Sequence, residues 1–229
     1  MKVIAFICAL IGFAVALLLA LMACIIFSSK TEGHEMNLEK KYQALNSVVF
    51  ISAGKGSGSG VVISSTKEGS VILTARHVVK KAKVGQLFVK FFPSEKKFPA
   101  SIVHMSDTYD LATIFVKRKH EYIARIKVST DMPIFYPVIK IGAGMSKRPY
   151  PAEGVVSTYD ADTGFMTTSS PCIYGDSGGG IFAEIADMYF LVGIITTVGL
   201  VPTGMGGIPI PHICGSHNMY AIEEFLSEH

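Results

Sequence analysis

Pro171-Cys172-Ile173-Tyr174-Gly175-Asp176-Ser177-Gly178-Gly179-Gly180 runs straight into the apolar segment Ile181-Phe182-Ala183. An acid precedes the serine and a run of glycines follows it. Glycine accepts positive φ and close backbone approach that other residues refuse, so such a loop can present a hydroxyl at its tip with neighbouring N–H groups turned toward a ligand. The same composition would also serve a plain turn. The two readings part on whether the chain supplies a general base and a group to orient it, because a serine hydroxyl is a poor nucleophile near neutral pH.

Of the seven histidines, His77 has the conspicuous setting. It follows Val71-Ile72-Leu73-Thr74-Ala75-Arg76, a strand-like run that ends in small residues. Downstream, Ser106-Asp107-Thr108-Tyr109-Asp110-Leu111-Ala112 sets Asp110 just before another apolar run, where it could lie beside the imidazole. His34, His104, His120, His212, His217 and His229 read as ordinary core or surface histidines.

From Ser47 onward the chain is a string of short β-branched runs broken by Gly, Ser and Pro. Those of the first half are Val48–Ser52, Gly60–Ser64, Ser70–Thr74, Gln86–Phe92, Ala100–His104 and Leu111–Val116. A second set follows with Val138–Ile141, Gly154–Thr158, Gly164–Thr168, Gly179–Ala183 and Tyr189–Thr197, then a Gly/Pro-rich stretch, Val201–Pro211, that reads as a loop. With no long amphipathic helix between the runs, the pattern predicts an all-β antiparallel barrel or sandwich in two similar halves. Asn218–Glu228 carries Ile222, Phe225 and Leu226 at helical spacing and predicts a short closing helix. Gly54-Lys55-Gly56-Ser57-Gly58-Ser59-Gly60 lacks the GxxxxGK[ST] order and precedes a strand, so it reads as a hairpin turn rather than a phosphate loop.

Val3–Phe27 holds no charged side chain over 25 residues, and about 20 apolar residues span a bilayer. Residues 1–28 are therefore expected to be a membrane anchor or signal segment, residues 29–46 a polar stalk, and residues 47–229 the folded domain. An uncleaved single-pass helix is preferred, since a secretory signal has an apolar core of about 7–15 residues. Leu21-Met22-Ala23-Cys24 resembles a lipoprotein signal box, in which Cys24 would be lipidated. Lys2 against Lys30, Lys40 and Lys41 leaves the charge rule nearly balanced. The short N-terminal tail favours a domain outside the cytoplasm.

Composition excludes other classes. With 49% hydrophobic and 17% charged residues the chain is not disordered. A net charge of +3 without an aromatic-laced basic run gives no reason to expect nucleic acid as a partner. Cys172 and Cys214 are the cysteines outside the membrane segment. They lack partners at metal-ligand spacing, so no metal is expected, and a disulfide or two free thiols are the open options.

Leu73-Thr74-Ala75-Arg76-His77-Val78-Val79, Asp110-Leu111-Ala112 and Gly175-Asp176-Ser177-Gly178-Gly179, in that order, resemble the three catalytic motifs of the chymotrypsin-like (trypsin-like) serine proteases. Gly58-Ser59-Gly60-Val61-Val62-Ile63 is similar to the HtrA-like bacterial branch, the resemblance being to its protease domain only, from about Ser47 onward. It implies two antiparallel six-stranded β-barrels, over about 47–118 and 136–217, with the site in the cleft between them. It implies a serine endopeptidase of protein or peptide substrates that needs no cofactor. His77 would be the base, Asp110 its orienter and Ser177 the nucleophile, with the N–H groups of Gly175 and Ser177 as oxyanion hole. Thr196 would support Asp110.

The resemblance also frames what departs from it. No trypsin-type activation site stands near Ser47, so Asp176 needs another partner, since an unpaired buried carboxylate is too costly. Lys140 stands where α-lytic-type enzymes place an Arg and is preferred over Arg148. Pro171 replaces the Asp of the basic-specific members, so the pocket of Pro171, Cys172, Thr196, Thr197 and Val198 is expected to take a neutral or small apolar residue. His212 and His217 could enter that pocket. Cys172 and Cys214 bracket the region much as a family disulfide does, and pairing is expected. No peptide-binding domain is expected after the protease.

Overall fold

β-Branched and aromatic residues fit a pleated, half-buried surface, and the short runs of this chain become strands. The structure is a computed structural model that describes residues 16–24, 38–126, 131–144, 148–203 and 206–228. Two compact units divide it, one up to Lys40 and one from Lys41 onward. In the first, residues 16–24 are helical and exposed. Among the described residues no helix is long and apolar enough to cross a membrane. The expected anchor over 3–27 falls largely on residues that lie outside the described ones.

In the second unit six strands close a barrel in the order β1-β2-β3-β6-β5-β4. These are β1 (Val48–Ala53), β2 (Gly56–Ser65), β3 (Ser70–Ala75), β4 (Leu87–Lys90), β5 (Lys97–Met105) and β6 (Leu111–Val116). β5 alternates exposed and half-buried residues along its whole length, the signature of a strand with one solvated face. β3 and β6 are nearly continuous hydrophobic runs, buried at almost every position.

The second barrel is built from β8 (Pro137–Gly142), β9 (Tyr150–Asp160), β10 (Phe165–Thr168), β11 (Gly180–Ile185), β12 (Met188–Thr203) and β13 (Gly206–Asn218). Its order β11-β8-β9-β10-β13-β12 is closed by the pairing of β11 with β12. All of these pairings are antiparallel, and β7 (Arg125–Ile126) adds a two-residue parallel contact to the outside of β12. The closing helix, Met219–Ser227, is capped by Asn218 Oδ1, which accepts from the N–H groups of Tyr220 and Ala221. It buries Met219, Ala221, Ile222 and Phe225.

The first barrel has its own core around Val49, Ile51, Val62, Ile72 and Ile114. Val48, Val61, Leu73 and Leu111, also on its strands, join the core of the second barrel instead, with Ile141, Ile181, Phe182 and Ile194. A fully buried large apolar side chain contributes about 1.5–3 kcal/mol over its exposed state. This shared seam therefore holds the barrels together.

The hairpin turn read at Gly54–Gly60 is present but shorter than expected, and a second reading is corrected. Within Gly54–Gly60 only Gly54-Lys55 turn, while Gly56 to Gly60 pair with Ala53 to Val49 in β2. Val201–Pro211 is not a loop: the pairing of β12 with β13 continues from Gly199↔Ile210 out to Thr203↔Gly206. The ladder is made of backbone groups that Gly keeps in full and of which Pro lacks only the donor, so composition hid a hairpin. β7 and the single helical turn Arg76–Val79 also escaped the sequence reading.

Candidate active site

β3 ends at Ala75, and the helical turn Arg76–Val79 that follows swings His77 onto the surface. Its Nδ1 lies 2.5 Å from Asp110 Oδ2. The His77 backbone N–H donates to Asp110 Oδ1 at 2.8 Å, so both carboxylate oxygens are engaged by one residue. Burial works to raise the Asp110 carboxyl. The hydrogen bond and charge of His77 outweigh it, and the carboxyl lies below its ordinary range. An ionised acid on Nδ1 leaves Nε2 as the free lone pair of a neutral ring.

The turn that carries Asp110 is held from both barrels. Arg76 N–H donates to Asp110 O at 3.0 Å, and Ser106 Oγ accepts from the N–H groups of Thr108 and Tyr109. From β13, His217 Nε2 accepts the Asp110 N–H at 3.0 Å.

The loop of Ser177 is pinned against β2. Ser59 N–H donates to Ser177 O at 2.8 Å, and Ser59 Oγ donates to Gly175 O at 2.8 Å. Thr74 Oγ1, in β3, donates to Ser59 O at 2.7 Å. One strand pair thus carries His77 and receives Ser177. Gly178 has φ +86°, and a Cβ there would stand 2.0 Å from Ser59 O, so only glycine fits. Gly175 has φ +92°, and a Cβ there would stand 2.9 Å from Gly144 Cα. Asp176, Gly178 and Gly179 spend their N–H groups on Ile173 O, Ile195 O and Asp176 O. The N–H groups of Gly175 and Ser177 take no partner among the described residues, and neither does Ser177 Oγ bond to His77.

Asp176 turns the other way, into a fully buried pocket. Lys140 Nζ from β8 donates to its Oδ2 at 2.8 Å, and Tyr150 OH from β9 donates to the same oxygen at 2.6 Å. The N–H groups of Ile173 and Gly144 complete its shell at 3.1 and 3.3 Å. Lys140 Nζ also stands 3.7 Å over the Tyr150 ring. Burial pushes Lys140 down against the pull of Asp176. Burial and the bond to Asp176 push the Tyr150 phenol well above its ordinary value. Arg148, the other candidate, is exposed and pairs with Glu95.

Cys172 and Cys214 form a disulfide, which ties the Ser177 loop to β13. Next to it in β12, Val198 pairs with Cys214 and Thr197 with Gly215. Thr196 is buried, Thr197 exposed, Val198 and Pro171 half-buried. No hydrogen bond joins Thr196 to Asp110 among the described residues. Instead His217, read as an ordinary histidine or as part of the pocket, bonds to the Asp110 backbone. His212 is exposed on β13. Sequence reasoning missed Ser59, Tyr150 and His217. Ser59 alone left a trace, in the motif shared with the HtrA-like branch. Among the described residues no cluster of His, Cys, Asp and Glu is placed to hold a metal ion.

The sequence model for the trypsin-like peptidase domain matches residues 58–194, a segment that contains His77, Asp110 and Ser177. No curated protein sequence matches the chain. Among solved structures the fold is similar to that of the serine endoprotease from Yersinia pestis, with a TM-score of 0.67 and 20% identity, over 85% of this chain and 65% of that one. This chain thus spans about two thirds of the length of that relative.

Proposed function

We propose, because this chain belongs to the trypsin-like peptidase domain family, that it is a serine endopeptidase working through an acyl-enzyme with His77, Asp110 and Ser177 as its triad. His77 Nε2 takes the Ser177 proton as Oγ attacks the scissile carbonyl, then gives it to the leaving amine. Water, deprotonated by the same nitrogen, releases the acyl group and regenerates the serine. Asp110 holds the Nδ1–H tautomer and steadies the imidazolium. The N–H groups of Gly175 and Ser177, without a partner among the described residues, receive the oxyanion, where one donor is worth about 3–4 kcal/mol of barrier. The reaction needs neither metal nor organic cofactor.

The observation that carries this reading is the His77–Asp110 pair, which follows β3 and precedes β6, with the Ser177 loop bonded at Ser59 to the adjoining strand β2. The test is labelling of the full chain by a fluorophosphonate together with a peptide-library cleavage profile. Labelling and peptide cleavage that both vanish in Ser177→Ala support the endopeptidase. Absence of labelling would make the domain a peptide-binding module, and ester turnover without peptide cleavage would make it an esterase.

The pocket is read as the wall of Thr196, Thr197 and Val198 with Pro171 and Cys172, and it favours a neutral or small apolar residue before the scissile bond. The uncharged run Val3–Phe27 supports a single-pass membrane tether, with the protease domain outside the cytoplasm.

A further inference from the structure

His217 is held in a defined tautomer by two unambiguous partners. Its Nδ1 lies 3.3 Å from Gly164 O, which can only accept, and its Nε2 lies 3.0 Å from the Asp110 N–H, which can only donate. The ring is therefore neutral, protonated on Nδ1, with the Nε2 lone pair on the turn of the catalytic acid. Tyr109 and Phe165 close over it edge-on at 5.3 and 6.1 Å. Tyr109 OH in turn donates to Glu224 of the closing helix at 2.6 Å, and that bond and burial push the phenol up to about 12.

We propose that His217 is a positioning residue for His77 and Asp110: as an acceptor it fastens the turn of the first barrel to β13 of the second, and on protonation it lets go. This rests on the reading of Asp110 as the triad's acid. Proton uptake at Nε2 would set an N–H against the Asp110 N–H, two donors facing each other in a half-buried site. Asp110, with both carboxylate oxygens committed to His77, would then lose the bond that fixes its main chain. Charged and titratable groups around the ring are Asp110 and Tyr109 on the turn, Glu224 beyond Tyr109, Asp160 across Phe165 with its Oδ1 taken by the N–H groups of Asp162 and Thr163, and His77 beyond Asp110. Burial holds the His217 imidazole below the ordinary histidine range, against the pull of Gly164 O and of the Asp110 charge, so the latch is closed at neutral pH.

The experiment follows fluorophosphonate labelling of the full chain against pH, with imidazole nitrogen shifts read by NMR on the same protein. Wild type is expected to lose reactivity on the acid side with a limiting slope one proton steeper than that of His217→Gln, the extra proton being that of His217. His217→Gln, whose amide oxygen accepts without titrating, should label at neutral pH within about twofold of wild type. His217→Leu, which cannot accept, should lose on the order of 10²-fold at every pH, the cost of a misplaced catalytic group. Superimposable wild-type and Gln profiles, or a Leu variant at the wild-type rate, overturn the proposal. Should the variants not fold, the wild-type spectrum decides: His217 must be the Nδ1–H tautomer, and the Asp110 amide must shift as it titrates. A wild type that never labels refutes the protease reading, while the NMR arm still tests the latch.

Discussion

Lys140 Nζ lies 2.8 Å from Asp176 Oδ2 with both side chains wholly removed from solvent. Such a pair is weak support for stability, because desolvation offsets most of its attraction, yet removing one partner strands the other and costs about 3–5 kcal/mol. Three further donors reach Asp176, which puts Lys140→Met at the low end of that range. The carboxylate would turn toward water and draw the 175–177 backbone with it. The variant should remain folded with a lowered denaturation midpoint and lose most of kcat. Unchanged kcat would mean that the 175–177 loop does not depend on this pair for its proposed role.

Tyr150→Phe tests the same pocket more gently. A hydrogen bond to a charged group contributes about 1.5–3 kcal/mol, and here Lys140 remains to hold the carboxylate. Stability should fall by about that amount while KM changes little. Chemical denaturation beside steady-state kinetics separates the two.

How much of this could be read from the chain depends on whether the signal is local. Gly175-Asp176-Ser177 and Asp110 were legible because each sits in a short motif beside a strand, and the β-branched runs predicted an antiparallel barrel or sandwich in two halves because period and spacing are local too; that the halves are two six-stranded barrels came from the family resemblance. His217 was not, since its partner lies 107 positions away and meets it only when the barrels dock. Tyr150 is equally silent: Lys140 could be preferred for Asp176 by resemblance, but the phenol beside it comes from a different strand. Val201–Pro211 was misread because Gly and Pro mark turns in sequence, whereas two long paired arms need only their backbone groups.

The disulfide closes a loop with a sequence separation of 42. Chain entropy alone assigns such a crosslink about 4 kcal/mol. Cys172→Ala with Cys214→Ala should lower stability by up to that amount and loosen the segment proposed as the pocket wall, raising KM more than it lowers kcat. A thiol count on the unreduced, unfolded chain should return Cys8 and Cys24 only; recovery of four thiols would rule the crosslink out.

His120 and His217 are both neutral groups in burial-dominated sites, and burial holds each below the ordinary histidine value. His120 Nε2 faces Asn46 O at 2.8 Å, which supports the charged ring but does not outweigh the burial. The unfolded chain takes up these protons near pH ~6.5, before the folded one does. Between that point and the lower folded value the unfolded state binds more protons, so stability falls as the pH drops, by at most about 1.4 kcal/mol per pH unit for each group. Above pH ~8 neither group contributes an appreciable slope. Thermal melts of the full chain should therefore show a flat Tm on the alkaline side and a decline that begins within the ordinary histidine range. His120→Gln combined with His217→Gln should flatten the decline down to the carboxylate range. There Asp110, held low by His77, takes over: its contribution is complete above the ordinary carboxylate value and is lost as the pH falls through its depressed one. A double variant that declines as steeply as wild type would place the acid sensitivity elsewhere.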